Sequence, residues 1–348
     1  MINGDQINDI VATAVERGQA PGVVAAVAQG DATHVTAAGV MAVGGAPMQD
    51  STLFRISSVT KPVTAAVILS MIDDGLLRLD DPVDKLLPEL AGRRVLRRPD
   101  GPLTDTVEAE RAVCVRDLLT FTWGFGMQGA MFMATSPWPI VSAVEERELA
   151  SFGPTRPSST PGPDIFMARL GELPLLAQPG ERWLYQLGPL GMGDTAFHAA
   201  DPSRLATAYE GGEVSDPPGG QWSRPPRFPD GGGGLVSTVV DLVAFGRMLL
   251  RGGEGVLRPQ TVAEMTRDQL TPAQRAAVWP GFSFLDDRGW GYGTSVLDDG
   301  SYGWEGGSGT AWFNVPERDL TVVVLTQRAA DETGMPAVCA DVVAAARG

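Results

Sequence analysis

Apolar residues recur with two different periods along this chain, and the change of period predicts its organisation. Residues 5–18 are apolar at helical spacing and end in Gly18, a pattern typical of an amphipathic helix with a glycine stop. Two short β-rich runs follow, at residues 22–28 and 33–40, and Gly30-Asp31 joins them. This arrangement predicts a β-hairpin directly after the first helix.

Strand patterns return only near the end of the chain. We predict strands at residues 290–297, 302–306, 311–315 and 320–326, followed by a final helix at 336–346. The long stretch between the two strand-rich ends is mostly helical in pattern. It includes an apolar helix from about residue 60 to residue 75 and another from 235 to 250.

These patterns predict an α+β fold. One antiparallel sheet is built from both chain ends and flanked by the terminal helices, with a large, mostly helical region between its halves. We expect residues 1–57 and 286–348 to form the sheet domain and residues 58–285 to form the helical domain. The active site is expected at their junction.

A serine and a lysine three residues apart, Ser58 and Lys61, open the apolar helix near residue 60. Residues i and i+3 share a helix face, so Ser58 Oγ and Lys61 Nζ can meet. A serine hydroxyl becomes a good nucleophile when an adjacent base takes its proton, and a buried lysine can be that base. Pro62 lacks the N–H that would bond the Ser58 carbonyl, which predicts an irregular first turn. The bare spacing is weak evidence, because Ser57 could be a helix cap and Lys61 a surface residue.

Composition and charge exclude several classes of protein. The 348 residues carry a formal net charge of -15, which argues against nucleic acid or an anionic membrane surface as partner. The start of the chain lacks a secretory signal, and no uncharged apolar stretch reaches membrane-spanning length. Cys114 and Cys339 are best explained as two buried free thiols. We therefore expect a cytoplasmic protein with no membrane contact, and no oligomeric state follows from the sequence.

Two histidines, His34 and His198, limit the alternatives. A Ser-His-Asp hydrolase would have to use one of them, and neither stands in a supporting motif. A zinc site of the His-Glu-x-x-His type is excluded, and we expect no metal or organic cofactor. Trp123 and Phe125 begin a glycine-broken stretch rich in aromatics and methionines. They either line an adaptable apolar substrate pocket or belong to the core.

Three motifs together resemble the serine hydrolases of the penicillin-binding-protein and class C β-lactamase fold, most of all the family VIII carboxylesterases. The first motif is Ser58-Val59-Thr60-Lys61. The second is Tyr185 within the phrase from Pro179 to Tyr185. The third is Trp304-Glu305-Gly306-Gly307. The resemblance covers nearly the whole chain, and the motifs are specific only in combination.

The resemblance implies a role for each motif. Ser58 attacks an ester carbonyl, while Lys61 and the Tyr185 phenol take and return its proton. The backbone N–H groups of Ser58 and Gly307 form the oxyanion hole, and Trp304, Glu305 and Gly306 contact the substrate. Ser308 lies in a Gly-x-Ser-x-Thr context that lacks the second glycine of a nucleophile elbow, so we treat it as a decoy.

Three departures from the family pattern change the expected substrate and site. Trp304 stands where penicillin-binding proteins and β-lactamases place Lys or His, which favours neutral esters over β-lactams and D-alanyl peptides. Glu305 is expected to add a negative charge that disfavours anions. The phrase Tyr185-Gln186-Leu187 lacks the Asn that is common two residues after the tyrosine.

The third departure is a missing segment. The family carries a helix and loop of some two dozen residues between the tyrosine motif and the Pro-Leu-Gly-Met phrase. Here only Gln186, Leu187 and Gly188 separate Tyr185 from Pro189. We hypothesise that Tyr185 is less rigidly held and the site more open as a result.

We therefore expect a serine carboxylesterase that cleaves small neutral esters through an acyl-enzyme. Three alternatives stay open: an acyltransferase, an amide or β-lactam hydrolase with the same site, and a binding protein whose site is catalytically impaired.

Overall fold

Strands from the two ends of the chain form one seven-stranded antiparallel sheet. The computed structural model describes residues 2–149, 157–185, 195–277, 285, 287–331 and 334–348. The strands are β1 Gly22–Gln29, β2 Ala32–Gly39, β3 Phe54–Arg55, β4 Arg94–Leu96, β5 Thr106–Glu108, β6 Ala208–Glu210, β7 Glu213–Asp216, β8 Val236–Ser237, β9 Arg288–Trp290, β10 Ser295–Leu297, β11 Tyr302–Gly306, β12 Thr310–Val315 and β13 Leu320–Thr326. The sheet has the order β2-β1-β13-β12-β11-β10-β9, while β3-β8, β4-β5 and β6-β7 pair separately.

Most helices lie between the two groups of sheet strands. The helices are α1 Gly4–Glu16, α2 Thr60–Asp73, α3 Val115–Leu119, α4 Gly129–Met133, α5 Pro139–Glu146, α6 Pro163–Gly171, α7 Val239–Leu250, α8 Pro259–Met265, α9 Pro272–Ala276 and α10 Ala337–Arg347. Only α1 and α10 belong to the chain ends among the described helices. The predicted α+β architecture, with a helical middle and a sheet from both ends, is confirmed.

The central strands are buried on both faces, and alternation of their side chains separates the two cores. In β1, residues 23, 25 and 27 pack with helices α1 and α10. Residues 24, 26 and 28 point to the opposite face and join the core that contains α2 and α7. Because successive strand side chains point to opposite faces, a continuous apolar run is what a doubly covered strand requires.

Two predicted elements have different bounds in the structure. The strand predicted at 290–297 is two strands, β9 and β10, because Gly291 and Gly293 form a turn closed by the bond from Gly291 N–H to the Thr294 carbonyl. Gly293 has a φ of +71°, which a glycine adopts without strain. The helix predicted from residue 235 begins instead at Val239, because the Thr238 hydroxyl caps it by accepting from Asp241 N–H.

All seven strands of the large sheet fall within residues 1–57 and 286–348, the segments assigned to the sheet domain. The domain boundaries themselves stay a prediction. Both cysteines are unpaired, although Cys114 is only half-buried while Cys339 is fully buried. Among the described residues, no helix combines the length and the apolar character needed to cross a bilayer.

Candidate active site

The turn that carries Ser58 docks between the sheet and helix α2. Ser58 lies in a 3₁₀ turn, Ser57–Val59, which leads directly into α2. The predicted irregular first turn is therefore confirmed, since Pro62 cannot bond the Ser58 carbonyl. Ser57 has a φ of +43°, a backbone conformation that a residue with a side chain adopts only at a cost. The strained residue therefore directly precedes Ser58.

Two side chains converge on the Ser58 hydroxyl, as the sequence predicted. Lys61 Nζ lies 3.0 Å from Ser58 Oγ, and the Tyr185 hydroxyl donates to Ser58 Oγ at 2.6 Å. Lys61 is only 4% exposed, whereas Ser58 is half-buried and can be reached from solvent. A second hydrogen bond, from Lys61 Nζ to the Gly232 carbonyl at 2.5 Å, holds the amino group in place.

Tyr185 is fixed by its backbone and by its ring. Its N–H and C=O exchange hydrogen bonds with Met127 at 3.1 and 2.7 Å. Its ring packs in an aromatic cluster with Phe121, Trp183 and Trp304, and Lys61 Nζ lies 4.7 Å from the ring centroid.

These contacts hold Tyr185 from the side that precedes it in the chain. The short connection through Gln186, Leu187 and Gly188 to Pro189 lies outside the described residues. The hypothesis of a loosened tyrosine therefore stays a hypothesis.

Trp304 is linked to Ser58 through the Tyr185 hydroxyl. Its indole Nε1 donates to the Tyr185 hydroxyl oxygen at 3.1 Å. An indole N–H can only donate, so the Tyr185 oxygen is the acceptor of this bond. The Tyr185 hydroxyl in turn donates its proton to Ser58 Oγ. Trp304 also packs edge-on against Trp290, with ring centroids 4.8 Å apart.

Gly306 lets strand β11 approach the Ser58 turn closely. A Cβ at Gly306 would lie 2.3 Å from both the Ile56 carbonyl oxygen and Thr310 Oγ1. These two atoms form a hydrogen bond, in which Thr310 Oγ1 donates to the Ile56 carbonyl at 3.0 Å. The exposed Gly307 follows directly in the turn to β12. The Ser308 hydroxyl contacts the Ser57 hydroxyl, which ties this turn to the 3₁₀ turn that carries Ser58.

The remaining predicted substrate residues lie in two places. Glu305 is half-buried and forms an ion pair with Arg288 at 3.1 Å, so its predicted negative charge is compensated. The Arg288 guanidinium lies 5.8 Å from the Trp304 ring centroid. Trp123 borders an apolar cavity that also reaches Lys61. Phe125 packs against Trp123, with ring centroids 5.5 Å apart.

Asp230 is a site residue that the sequence analysis missed. Its carboxylate accepts from Gly232 N–H at 2.8 Å, and the Gly232 carbonyl in turn accepts from Lys61. Burial raises the pKa of Asp230, against the opposing effects of the Gly232 N–H and the charge of Lys61. The one available signal was an aspartate directly before four glycines. Among the described residues, no group of three or more His, Cys, Asp or Glu side chains is placed to hold a metal ion.

Comparison with known proteins supplies the family. The Beta-lactamase family matches residues 7–187 and 186–338, so the chain belongs to that family and is a serine hydrolase of it. The two matched segments meet beside Tyr185, where the sequence predicts that a segment is missing.

Relatives of the chain include an esterase. Esterase EstB of Burkholderia gladioli is 29% identical over 346 residues, covering 82% of this chain and 80% of EstB. A protein of Mycobacterium tuberculosis is 36% identical over 340 residues, covering 82% of this chain and 80% of that protein. The solved structure of EstCE1, a hydrolase with promiscuous acyltransferase activity, shares the fold. It has a TM-score of 0.78 at 22% identity and covers 99% of this chain and 98% of EstCE1.

Proposed function

We propose that this protein is a carboxylesterase that hydrolyses small neutral esters through an acyl-enzyme on Ser58. The observation that carries the proposal is the placement of two proton-transfer groups on one hydroxyl. Lys61 Nζ lies 3.0 Å and Tyr185 OH 2.6 Å from Ser58 Oγ. Both distances are within the range that proton transfer requires. Likeness to esterase EstB supports an ester as the substrate.

The reaction has two half-reactions that use the same groups. In acylation, Lys61 and Tyr185 together take the Ser58 proton as Oγ attacks the ester carbonyl carbon, and the proton leaves on the departing alcohol. In deacylation, the pair takes a proton from water as the water oxygen attacks the acyl-enzyme. The proton returns to Ser58 Oγ as the acid departs.

Trp304 and Lys61 support Tyr185 as a proton acceptor. When the phenol gives up its proton, its oxygen keeps the hydrogen bond from Trp304 Nε1, and the nearby Lys61 ammonium favours the negative charge. Trp304 thus acts on the tyrosine oxygen from the position where the family places a cation.

The oxyanion hole is assigned to the N–H groups of Ser58 and Gly307 by the family resemblance. Two contacts keep these groups in register: the bond from Thr310 Oγ1 to the Ile56 carbonyl and the contact between Ser57 and Ser308. N–H groups fixed before the reaction begins stabilise the developing oxyanion without reorganisation.

Neutral esters suit the charges around Ser58. Lys61 is occupied by Ser58 and Gly232, and Arg288 is paired with Asp287 and Glu305. The unpaired thiols of Cys114 and Cys339 suit a reducing compartment, so we place the enzyme in the cytoplasm.

The test is a stopped-flow trace of p-nitrophenyl butyrate hydrolysis by the wild type and by Ser58→Ala. We expect steady wild-type turnover and a loss of at least about 10³-fold in kcat for the variant. A single burst without turnover would mean that Ser58 is acylated but deacylation fails, which would point to Tyr185 and the short connection that follows it. No Ser58-dependent release, or nitrocefin turnover that matches ester turnover, would contradict the esterase proposal.

A further inference from the structure

A large apolar cavity lies directly beside the catalytic lysine. Its volume is about 440 Å³, and Lys61 forms part of its wall. The rest of the wall is almost entirely aliphatic or aromatic and comes from several separate segments. Helix α2 contributes Ile68, the stretch before Phe121 contributes Leu118, and α6 contributes Met167. No role in the two half-reactions accounts for this space.

The cavity begins one side chain away from the reacting oxygen. Lys61 lines the cavity, and its Nζ lies 3.0 Å from Ser58 Oγ. Phe121 and Gly232 also belong to the wall. Phe121 packs against the Tyr185 ring, and the Gly232 carbonyl accepts from Lys61. The cavity therefore adjoins the groups that hold Lys61 and Tyr185 beside Ser58.

The size and lining determine the kind of occupant. Cavities of about 300–1,000 Å³ are typical of ligand sites. An apolar cavity of about 150 Å³ stays dry and binds benzene, so a cavity of this size has room for at least about ten carbons. Each methylene transferred from water to such a lining is expected to improve binding by about fourfold.

We propose that this cavity binds the acyl chain of the substrate, and that the enzyme prefers esters with medium-length, apolar acyl groups of about eight to ten carbons. The inference rests on the proposed esterase function and adds the substrate class to it. The carbonyl carbon is bound at Ser58, and the chain extends past Lys61 between α2 and α6. An apolar chain there also keeps water away from the buried lysine side chain.

The first test is a series of p-nitrophenyl esters from acetate to decanoate, each below the concentration at which it aggregates. We expect kcat/KM to rise with acyl length by at least about 15-fold between butyrate and octanoate, which corresponds to half of the transfer free energy of four methylenes. A second series, butyrates of increasing alcohol length, should be nearly flat. A preference that follows the alcohol would overturn the acyl assignment.

The second test fills the cavity. Met167→Trp on helix α6 should remove the preference for octanoate over acetate while acetate hydrolysis is retained. Ile165→Trp is the matched control, because Ile165 lies on the same helix with 54% of its side chain exposed and does not belong to the cavity wall. Ile68→Phe, from helix α2, repeats the test if Met167→Trp fails to fold.

The outcomes separate this inference from the proposed function. Ser58-dependent hydrolysis at equal rates for all acyl lengths would overturn the cavity assignment and leave the esterase intact. An unchanged octanoate preference in both filling variants would do the same. Loss of Ser58-dependent release with every ester would overturn both.

Discussion

The two sides of Ser58 are packed to different densities. On the sheet side, Gly306 leaves no room for a single methyl group against Ile56 and Thr310. On the helical side, Lys61 borders a cavity of about 440 Å³. Dense packing fixes atoms, whereas a cavity admits them. On the proposed function, the sheet side fixes the groups that make the bond, and the helical side selects the acyl chain of the substrate.

The largest effect should come from breaking the dense side. Gly306→Ala places a Cβ 2.3 Å from the Ile56 carbonyl oxygen and pushes the Ser58 turn away from the strand. We expect kcat to fall by about 10²–10³, as when an oxyanion donor is lost. The control is Gly219→Ala, where a Cβ meets nothing within 4 Å. Full activity of Gly306→Ala would show that the close approach is not needed.

A smaller effect should follow from removing one hydrogen bond on the same side. Trp304→Phe keeps the aromatic packing but loses the bond from Nε1 to the Tyr185 oxygen. We expect kcat to fall by about five- to tenfold, the value of a single hydrogen bond.

Trp312→Phe is the control for that substitution. Trp312 lies opposite Trp304 on β12, and its buried Nε1 has no hydrogen-bond partner among the described residues. Equal losses in the two variants would assign the effect to packing rather than to Tyr185.

The smallest effect concerns Asp230, which holds the turn whose Gly232 carbonyl accepts from Lys61. Because burial raises the pKa of Asp230, the folded protein binds the proton of the Asp230 carboxyl more tightly than the unfolded chain does. The stability gained is full below the unfolded value of about 3.9 and is lost as pH rises through the raised pKa. The Tm of Asp230→Asn relative to wild type should therefore rise between pH 4 and pH 8.

Asp201→Asn provides a control of opposite sign. Hydrogen bonds from Ser203 lower the pKa of this exposed carboxyl, so Asp201 gives stability that is present above the unfolded value and lost in acid. Relative to wild type, its variant should fall in Tm as pH rises through the acid range below about 4, and should change little between pH 4 and pH 8. Parallel shifts in the two variants would contradict the environment assigned to Asp230.

The sequence predicts the parts of this molecule that depend on local pattern. The change from period two to helical period and back determines a sheet built from both ends. Ser58 and Lys61 are close because they are three residues apart, and Tyr185 was found through its motif. Positions that depend on contacts between distant segments were not predicted. Asp230 acts through a turn that only the fold brings to Lys61, and Arg288 compensates Glu305 from a neighbouring part of the sheet edge.

Local pattern also misses conformations set by tertiary contact. The positive φ of Ser57 occurs where its hydroxyl contacts Ser308, more than two hundred residues later in the chain. The cavity is invisible in the sequence for the same reason, because its wall is assembled from at least five separate segments.

The pairing of β1 with β13 has a consequence for biosynthesis. Val23 of β1 lies opposite Thr326 of β13, so β13 leaves the ribosome about 300 residues after β1. At bacterial to eukaryotic elongation rates of roughly 5–20 residues per second, β1 waits about 15–60 s for its partner. During that interval the nascent chain exposes an apolar strand edge, which is a target for chaperones and for aggregation. Yield on overexpression should therefore depend on the rate of translation.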